Sequence, residues 1–221
     1  IVDHALVGHL VGFAGNAAIG AAWQIFLVVI AFVSSLFAGM GVLVARFAGA
    51  GDAEAVDRTC YQAFLTAMGL SFIHLGRCGR ALGPTLRTLV NHATAVQQEA
   101  LPFLRVMFLG GSGMMIYFML GGALRAAGDA RTPMVLGIAM TLLNLALNVV
   151  LIRGLGPIPA FGTAGSAMGT VLASGLVGAY ALVRLWRGGW VVRFPRRRAL
   201  APDWGVVAAL FRFGLPAGIQ G

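Results

Sequence analysis

Charge is what this sequence lacks most. Its 221 residues hold seven acidic side chains and no lysine, and charged residues make up 10% of the chain against 59% hydrophobic. An ordinary globular domain carries about 25% charged residues. A soluble fold is thereby excluded, because it could not hide so much apolar surface; the mean hydropathy of +0.87 agrees. Cysteine is almost as scarce. Cys60 and Cys78 fall near opposite ends of one expected helix, roughly 27 Å apart at 1.5 Å per residue, too far to pair. The four histidines, at 4, 9, 74 and 92, are scattered over three segments. No His/Cys cluster has metal-ligand spacing, so neither a metal centre nor a cofactor is expected. No His–carboxylate cluster stands at helical spacing either, which argues against a membrane-embedded enzyme.

What is present is arginine, sixteen in all, giving a net charge of +9. In a soluble protein that excess would suggest nucleic acid. Here the arginines sit mostly between long apolar runs, while the aromatics lie inside those runs, so contact with the lipid bilayer and its anionic headgroups explains them and no nucleic-acid partner is expected.

Windows of about 20 residues, the length that crosses a 30 Å hydrocarbon core, predict spans near 1–13, 19–47, 58–76, 101–124, 133–152 and 163–186. The expected fold class is an all-α membrane protein, a six-helix transmembrane bundle. No stretch reads as a cleavable signal peptide, and both ends read as cut. The one long polar linker is 187–202, with Gly188-Gly189, two prolines and Arg196-Arg197-Arg198. A further helix is expected from Asp203, its N-cap, with Gly214-Leu215-Pro216 bending it. The expected domains are 1–186 as the bundle with an incomplete first helix, 187–202 as a cytoplasmic linker, and 203–221 as the start of a second bundle.

Orientation follows from the arginines. With the linker inside, alternate loops place eleven arginines inside and five outside, as the positive-inside rule demands. Arg198 and Asp52 are then cytoplasmic, Gly156 and Asn91 external. The stretch HLGRCGRALGPTLR at 74–87 supplies three of the external arginines and fits a short helix, a surface turn or a local sequence error. Two inside loops resemble each other, ARFAGAGDAEAVDR at 45–58 and ALRAAGDARTP at 123–133. Each has Arg in a last helical turn, Gly able to take a left-handed cap, then Asp before the next helix. Thr132 and Pro133 are expected to start the fifth helix as N-cap and first-turn proline.

Polar groups at membrane depth are functional candidates by default. Asp3 is the only acidic residue inside an expected span. Counted from the outer helix ends, Asp3 and Asn144 both lie about 13 Å deep. Asn148 is one turn from Asn144 on the same face. One carboxylate beside two carboxamides suits a proton or Na⁺, since amide oxygens coordinate hard cations and amide nitrogens donate to a carboxylate. The alternative is interhelical hydrogen bonding. Thr170 on the sixth helix is a further hydroxyl ligand, or bonds its own backbone. In SGMMIYFMLGG at 112–122, Met114, Met115, Tyr117 and Met119 are substrate-cavity candidates against a background of ordinary packing.

Several segments together, VDHALVGHL (2–10), VARFAGAGD (44–52), ALRAAGDARTP (123–133), LLNLALNVVLI with GLGPIPAFGTAGSAMGTVLA (142–173) and FGLPAGIQ (213–220), resemble the multidrug and toxic compound extrusion (MATE) transporters. This family lies within the multidrug/oligosaccharidyl-lipid/polysaccharide exporter superfamily, and the resemblance covers nearly the whole chain. It implies the amino-terminal lobe of a twelve-helix, two-lobe transporter, whose partner is the missing carboxy-terminal bundle of the same chain. Its implied function is a secondary antiporter of the inner membrane that exports small organic, cationic or amphipathic compounds in exchange for H⁺ or Na⁺. The Asp of the family's VD motif, its cation-coupling carboxylate, falls on Asp3. One bacterial branch reads Asn, three residues, then Asp in helix five; Asn148 stands where that second acid would be. A flippase for lipid-linked precursors or polysaccharides shares the fold but calls for a more uniformly basic cavity, and these spans carry few arginines. A purely structural membrane subunit would leave Asp3 unexplained.

Overall fold

The computed structural model describes residues 7–9, 11–70, 94–155, 157–193 and 201–219. Among them the regular elements are helices: α1 Phe13–Gly49, α2 at 53–70, α3 Thr94–Gly110, α4 Ser112–Ala126, α5 Arg131–Arg153, α6 Gly162–Arg187 and α7 Trp204–Ile219. Residues 7–9 are also helical. Gly12, at φ 97°, separates them from α1. Asp3, Asn91, Gly156, Arg198, Cys78 and the stretch 74–87 lie outside the described residues.

The lengths fit a bilayer. By length and composition Arg131–Arg153 and Gly162–Arg187 each qualify as a span, and the bent pair Gln98–Gly110 with Ser112–Ala126 makes a third among the described residues. On α5, Met134, Val135, Ile138, Leu142 and Leu145 are exposed, and on α6 so are Leu172, Leu176, Tyr180 and Val183. These residues recur every three to four positions and form one continuous apolar face per helix. Such faces would drive aggregation in water and suit an apolar, lipid environment.

One expected span departs from expectation. The run 101–124 is not a single helix: it is two, meeting at an angle of 54°. The break falls in Gly110-Gly111-Ser112-Gly113, where helix propensity is lowest. It is also where α6 comes closest. A Cβ at Gly113 would lie 2.6 Å from the Gly175 Cα, and one at Gly110 would overlap the Val171 side chain.

The two look-alike loops share a construction. Gly51 (φ 74°) and Gly128 (φ 94°) take the left-handed conformation that a side chain would oppose. The amides of Asp52 and Asp129 return to the carbonyls of Phe47 and Leu124 at 3.0 and 2.8 Å, closing each preceding helix. Each Asp then caps the next helix, Asp52 accepting from the Ala55 amide and Asp129 from the Thr132 amide, both at 3.0 Å. Asp129, not Thr132, is thus the cap of α5. Thr132 lies inside the first turn, because the carboxylate already claims its amide. Donation from the Thr132 hydroxyl and amide holds the Asp129 carboxyl below its usual range.

The chain forms two compact units, Ile1–Leu27 with Ser71–Gly113 and Ala139–Leu176, and Val28–Leu70 with Met114–Ile138 and Val177–Gly221. In the second unit, Leu36, Met40, Leu43 and Val44 line the buried face of α1. α1 crosses α7 backbone to backbone: a Cβ at Gly39 would overlap the Leu210 carbonyl and lie 2.8 Å from the Gly214 nitrogen. Asp203 caps α7 by accepting from the Gly205 and Val206 amides at 3.0 and 3.3 Å. Those amides and the Arg58 guanidinium hold its carboxyl below the usual range.

The linker on this side is pinned to α2. Asp57 accepts from the Arg193 amide at 2.7 Å. Gln62, 1% exposed, donates to the Ala201 carbonyl and accepts from the Asp203 amide, both at 3.0 Å. Arg58 pairs with Asp203 at the exposed rim. The Arg184 guanidinium lies 6.0 Å from the centre of the Trp190 ring, a cation–π contact that holds the linker's start to α6. Gln62→Ala should leave the Ala201 carbonyl and Asp203 amide uncompensated, at about 1–3 kcal/mol. Arg58→Ala, removing only an exposed pair, should cost about 0–1 kcal/mol. Hydrogen exchange at 201–206 in the full-length protein should accelerate markedly in the first variant and little in the second.

Candidate functional site

The polar cluster of the first unit is built by a close helix crossing. α6 carries Gly165 and Gly169, four residues apart, on the face toward α5. A Cβ at Gly165 would lie 2.5 Å from the Leu151 carbonyl oxygen, and one at Gly169 would overlap the Asn148 side chain. Small residues at this spacing let two membrane helices meet at their backbones. Short polar side chains on α5 can then reach α6.

They do so as an ordered relay. Asn148 Nδ2 donates to Asn144 Oδ1 at 3.2 Å, Asn144 Nδ2 donates to Thr170 Oγ1 at 3.0 Å, and Thr170 Oγ1 donates to the Ser166 carbonyl at 3.1 Å. Asn148 is fully buried. Three of the four residues expected from sequence to form the site are therefore joined in one hydrogen-bonded chain; Thr170 bonds its own backbone, the alternative to a ligand role, and also accepts from Asn144. Asp3, the fourth, lies outside the described residues. The cavity candidates separate by burial: Met119 is 1% exposed and part of the packed core, whereas Met114, Met115 and Tyr117 are half-buried. The Tyr117 hydroxyl lies 2.8 Å from where a Cβ at Gly137 would stand, so it packs on α5.

Two further groups were not legible from the spans. Glu99 lies in α3, within the bent pair that qualifies as a span, so Asp3 is not the only acidic residue in such a segment. Its Oε2 accepts from the Thr163 hydroxyl at 2.5 Å, and Thr163 is fully buried. Ser166 is fully buried too, and its hydroxyl has no hydrogen-bond partner among the described residues. With spacings of three and four residues, Thr163, Ser166 and Thr170 share one face of α6. Among the described residues no group of three or more His, Cys, Asp or Glu side chains gathers as a metal site. The relay itself is neutral, so any charge for holding a cation has to come from a carboxylate beside it.

Residues 1–150 match the MatE family model. The probable multidrug resistance protein NorM of Thermotoga maritima is 29% identical over 229 residues, covering 100% of this chain and 47% of that protein. The probable multidrug resistance protein YoeA of Bacillus subtilis is 28% identical over 226 residues, covering 100% of this chain and 48% of that protein. The chain thus spans about half the length of the curated relatives it matches. Among solved structures, the outward-facing conformation of a multidrug resistance MATE family transporter of the MOP superfamily aligns with a TM-score of 0.87 at 25% identity, over 98% of this chain and 47% of that one. Matched by the family model along two thirds of its length, and aligned over 98% of its residues with about half of a MATE family transporter, this helical chain belongs to the MatE family.

Proposed function

We propose that this chain is the amino-terminal lobe of an inner-membrane antiporter that exports organic, cationic or amphipathic compounds in exchange for H⁺ or Na⁺ by alternating access. The observation that carries the proposal is the polar relay Asn148–Asn144–Thr170, anchored on the fully buried Asn148. Apolar packing alone would not require such a relay, and it stands at the depth that the sequence assigns to Asp3. The names of the relatives, multidrug resistance proteins, support the substrate class.

The mechanism follows from charge and hydrogen bonding. An ionised carboxylate near the membrane midplane costs a few kcal/mol or more unless it is solvated, paired or neutralised. Taking up H⁺ or Na⁺ discharges Asp3, and the amide oxygen of Asn144 and the hydroxyl of Thr170 are within one relay step of each other to share the cation's coordination. A cation shifts the lobe between two packings only through different affinity for each. The close α5–α6 crossing at Gly165 and Gly169 holds the side chains of the relay in register.

The test is substrate export by the full-length protein in proteoliposomes under separate pH and Na⁺ gradients. Export driven by at least one gradient is expected. Asp3→Asn should reduce gradient-driven export about tenfold or more while leaving the protein monodisperse, on the scale at which cation sites respond to lost ligands. Normal coupled export by that variant would move the coupling site away from this lobe.

A further inference from the structure

Resting on the antiport reading, we propose that Glu99, Thr163 and Ser166 form a second cation-holding subsite in this lobe, distinct from the Asp3–Asn144–Asn148–Thr170 cluster and taking a hard monovalent cation, H⁺ or Na⁺.

The geometry points there from three sides. Glu99 stands at the sixth position of α3, beyond the first turn in which a helix dipole stabilises an acid, so its place is not explained as helix-end decoration. It is half-buried, and the hydrogen bond from Thr163 occupies one of about four acceptor sites on a carboxylate. A single neutral donor leaves most of that acceptor capacity unused. One turn along the same face of α6, the Ser166 hydroxyl is fully buried and has no hydrogen-bond partner among the described residues. A serine in an apolar helix ordinarily bonds the carbonyl four residues back; this one does not, so its oxygen is free to turn toward a ligand.

From α1, Gly15 faces Thr163, with its ideal Cβ 3.1 Å from the Thr163 hydroxyl; glycine there brings no side chain to fill or block the site. A carboxylate and two hydroxyls are an all-oxygen donor set, which suits a hard cation and not a soft one. Charge competition is small. On the neighbouring described segments, His9, Arg105 on α3 and Arg153 at the end of α5 are all exposed, and α6 carries no charged residue before Arg184. Thr163, Ser166 and Thr170 rise along α6 over about 10 Å. The Glu99 subsite therefore sits one to two turns nearer the Gly162 end than the asparagine relay, on the same polar track.

The experiment is a count of cations in purified full-length transporter, as ²²Na⁺ bound at fixed pH and, in a separate arm, protons released on raising pH without Na⁺. Wild type, Glu99→Gln, Thr163→Val, Thr163→Ser and Asp3→Asn are compared. The expected result is that Glu99→Gln loses about one bound cation in one of the two arms, and the arm that responds identifies the ion. Thr163→Val, which keeps the carboxylate, should weaken that cation about tenfold, and Thr163→Ser should restore it. Asp3→Asn should remove a different cation and leave this one in place. If Glu99→Gln is folded and binds as many cations as wild type in both arms, or fails to fold while Thr163→Val binds with unchanged affinity, the proposal is overturned and the Glu99–Thr163 contact is an interhelical bond only. If instead Asp3→Asn alone leaves the count unchanged, it is the antiport reading of the Asp3 cluster that fails, and the Glu99 result stands by itself.

Discussion

Gly39→Ala is expected to destabilise the full-length protein by ~3 kcal/mol or more, a large effect for a single methyl group. The added carbon would overlap the Leu210 carbonyl oxygen and stand 2.8 and 3.1 Å from the Gly214 nitrogen and Cα. All three are backbone atoms, so no rotamer change relieves the clash. The helices must separate, and the buried contacts of Leu36, Met40 and Leu210 separate with them. Gly41, two residues on, has nothing within 4 Å of its would-be Cβ. Gly41→Ala should be neutral or stabilising by about 0.5–1 kcal/mol, since alanine is the better helix former. Thermal unfolding of both variants in detergent, followed by size-exclusion recovery after heating, gives the comparison. Equal midpoints would show that α1 and α7 do not meet at Gly39.

Asn144→Leu is the second substitution with a large expected effect, and here the loss is functional. Asn144 is the middle of the relay, accepting from Asn148 and donating to Thr170. Each interhelical hydrogen bond in a membrane contributes only about 0.6–2 kcal/mol, so the fold should survive. The cation site should not. Removing the shared amide takes away a ligand oxygen and the group that orients both neighbours, and gradient-driven export should fall about tenfold to a hundredfold, as when a partner that orients metal ligands is removed. Asn144→Gln should fall between, with the same chemistry set one methylene too far. Uncoupled, downhill substrate flux in the Leu variant should stay near wild type. If coupled and downhill flux fell together, Asn144 would be a structural bond and not a coupling residue.

How much of this was written in the sequence depends on how local the cause is. The turns at 50–52 and 127–129 were legible because glycine and aspartate encode a left-handed cap and the next helix start within a few residues. Asn144, Asn148 and Thr170 were legible because helical periodicity places them and polarity among apolar neighbours marks them. Glu99 was missed because a hydropathy window starts the span at Leu101, on the far side of Gln97-Gln98-Glu99, while the helix itself starts at Thr94. The absence of any breaker between Thr94 and Pro102 was the available signal. The bend at Gly111 was missed for the opposite reason, since apolar runs look alike whether straight or broken; Gly110-Gly111-Ser112-Gly113 was the cue. Threonine before proline is a common helix start and favours Thr132 as the cap of α5, yet Asp129 offers a charged acceptor three residues earlier. Gly165 and Gly169 carried a crossing that no single-helix pattern displays, because its partner, Asn148, lies on another helix.

The linker's attachment has a consequence for which changes the protein tolerates. Gln62 grips the Ala201 carbonyl and the Asp203 amide, main-chain groups that nearly every residue type presents. The side chain at 201 is exposed and takes no part in the grip. The attachment therefore reads spacing and not spelling: substitutions at 201 leave it intact, whereas inserting or deleting one residue between 201 and 203 slips the register, so that Gln62 can no longer meet both the 201 carbonyl and the Asp203 amide. At this junction, length is the constrained quantity and composition the free one.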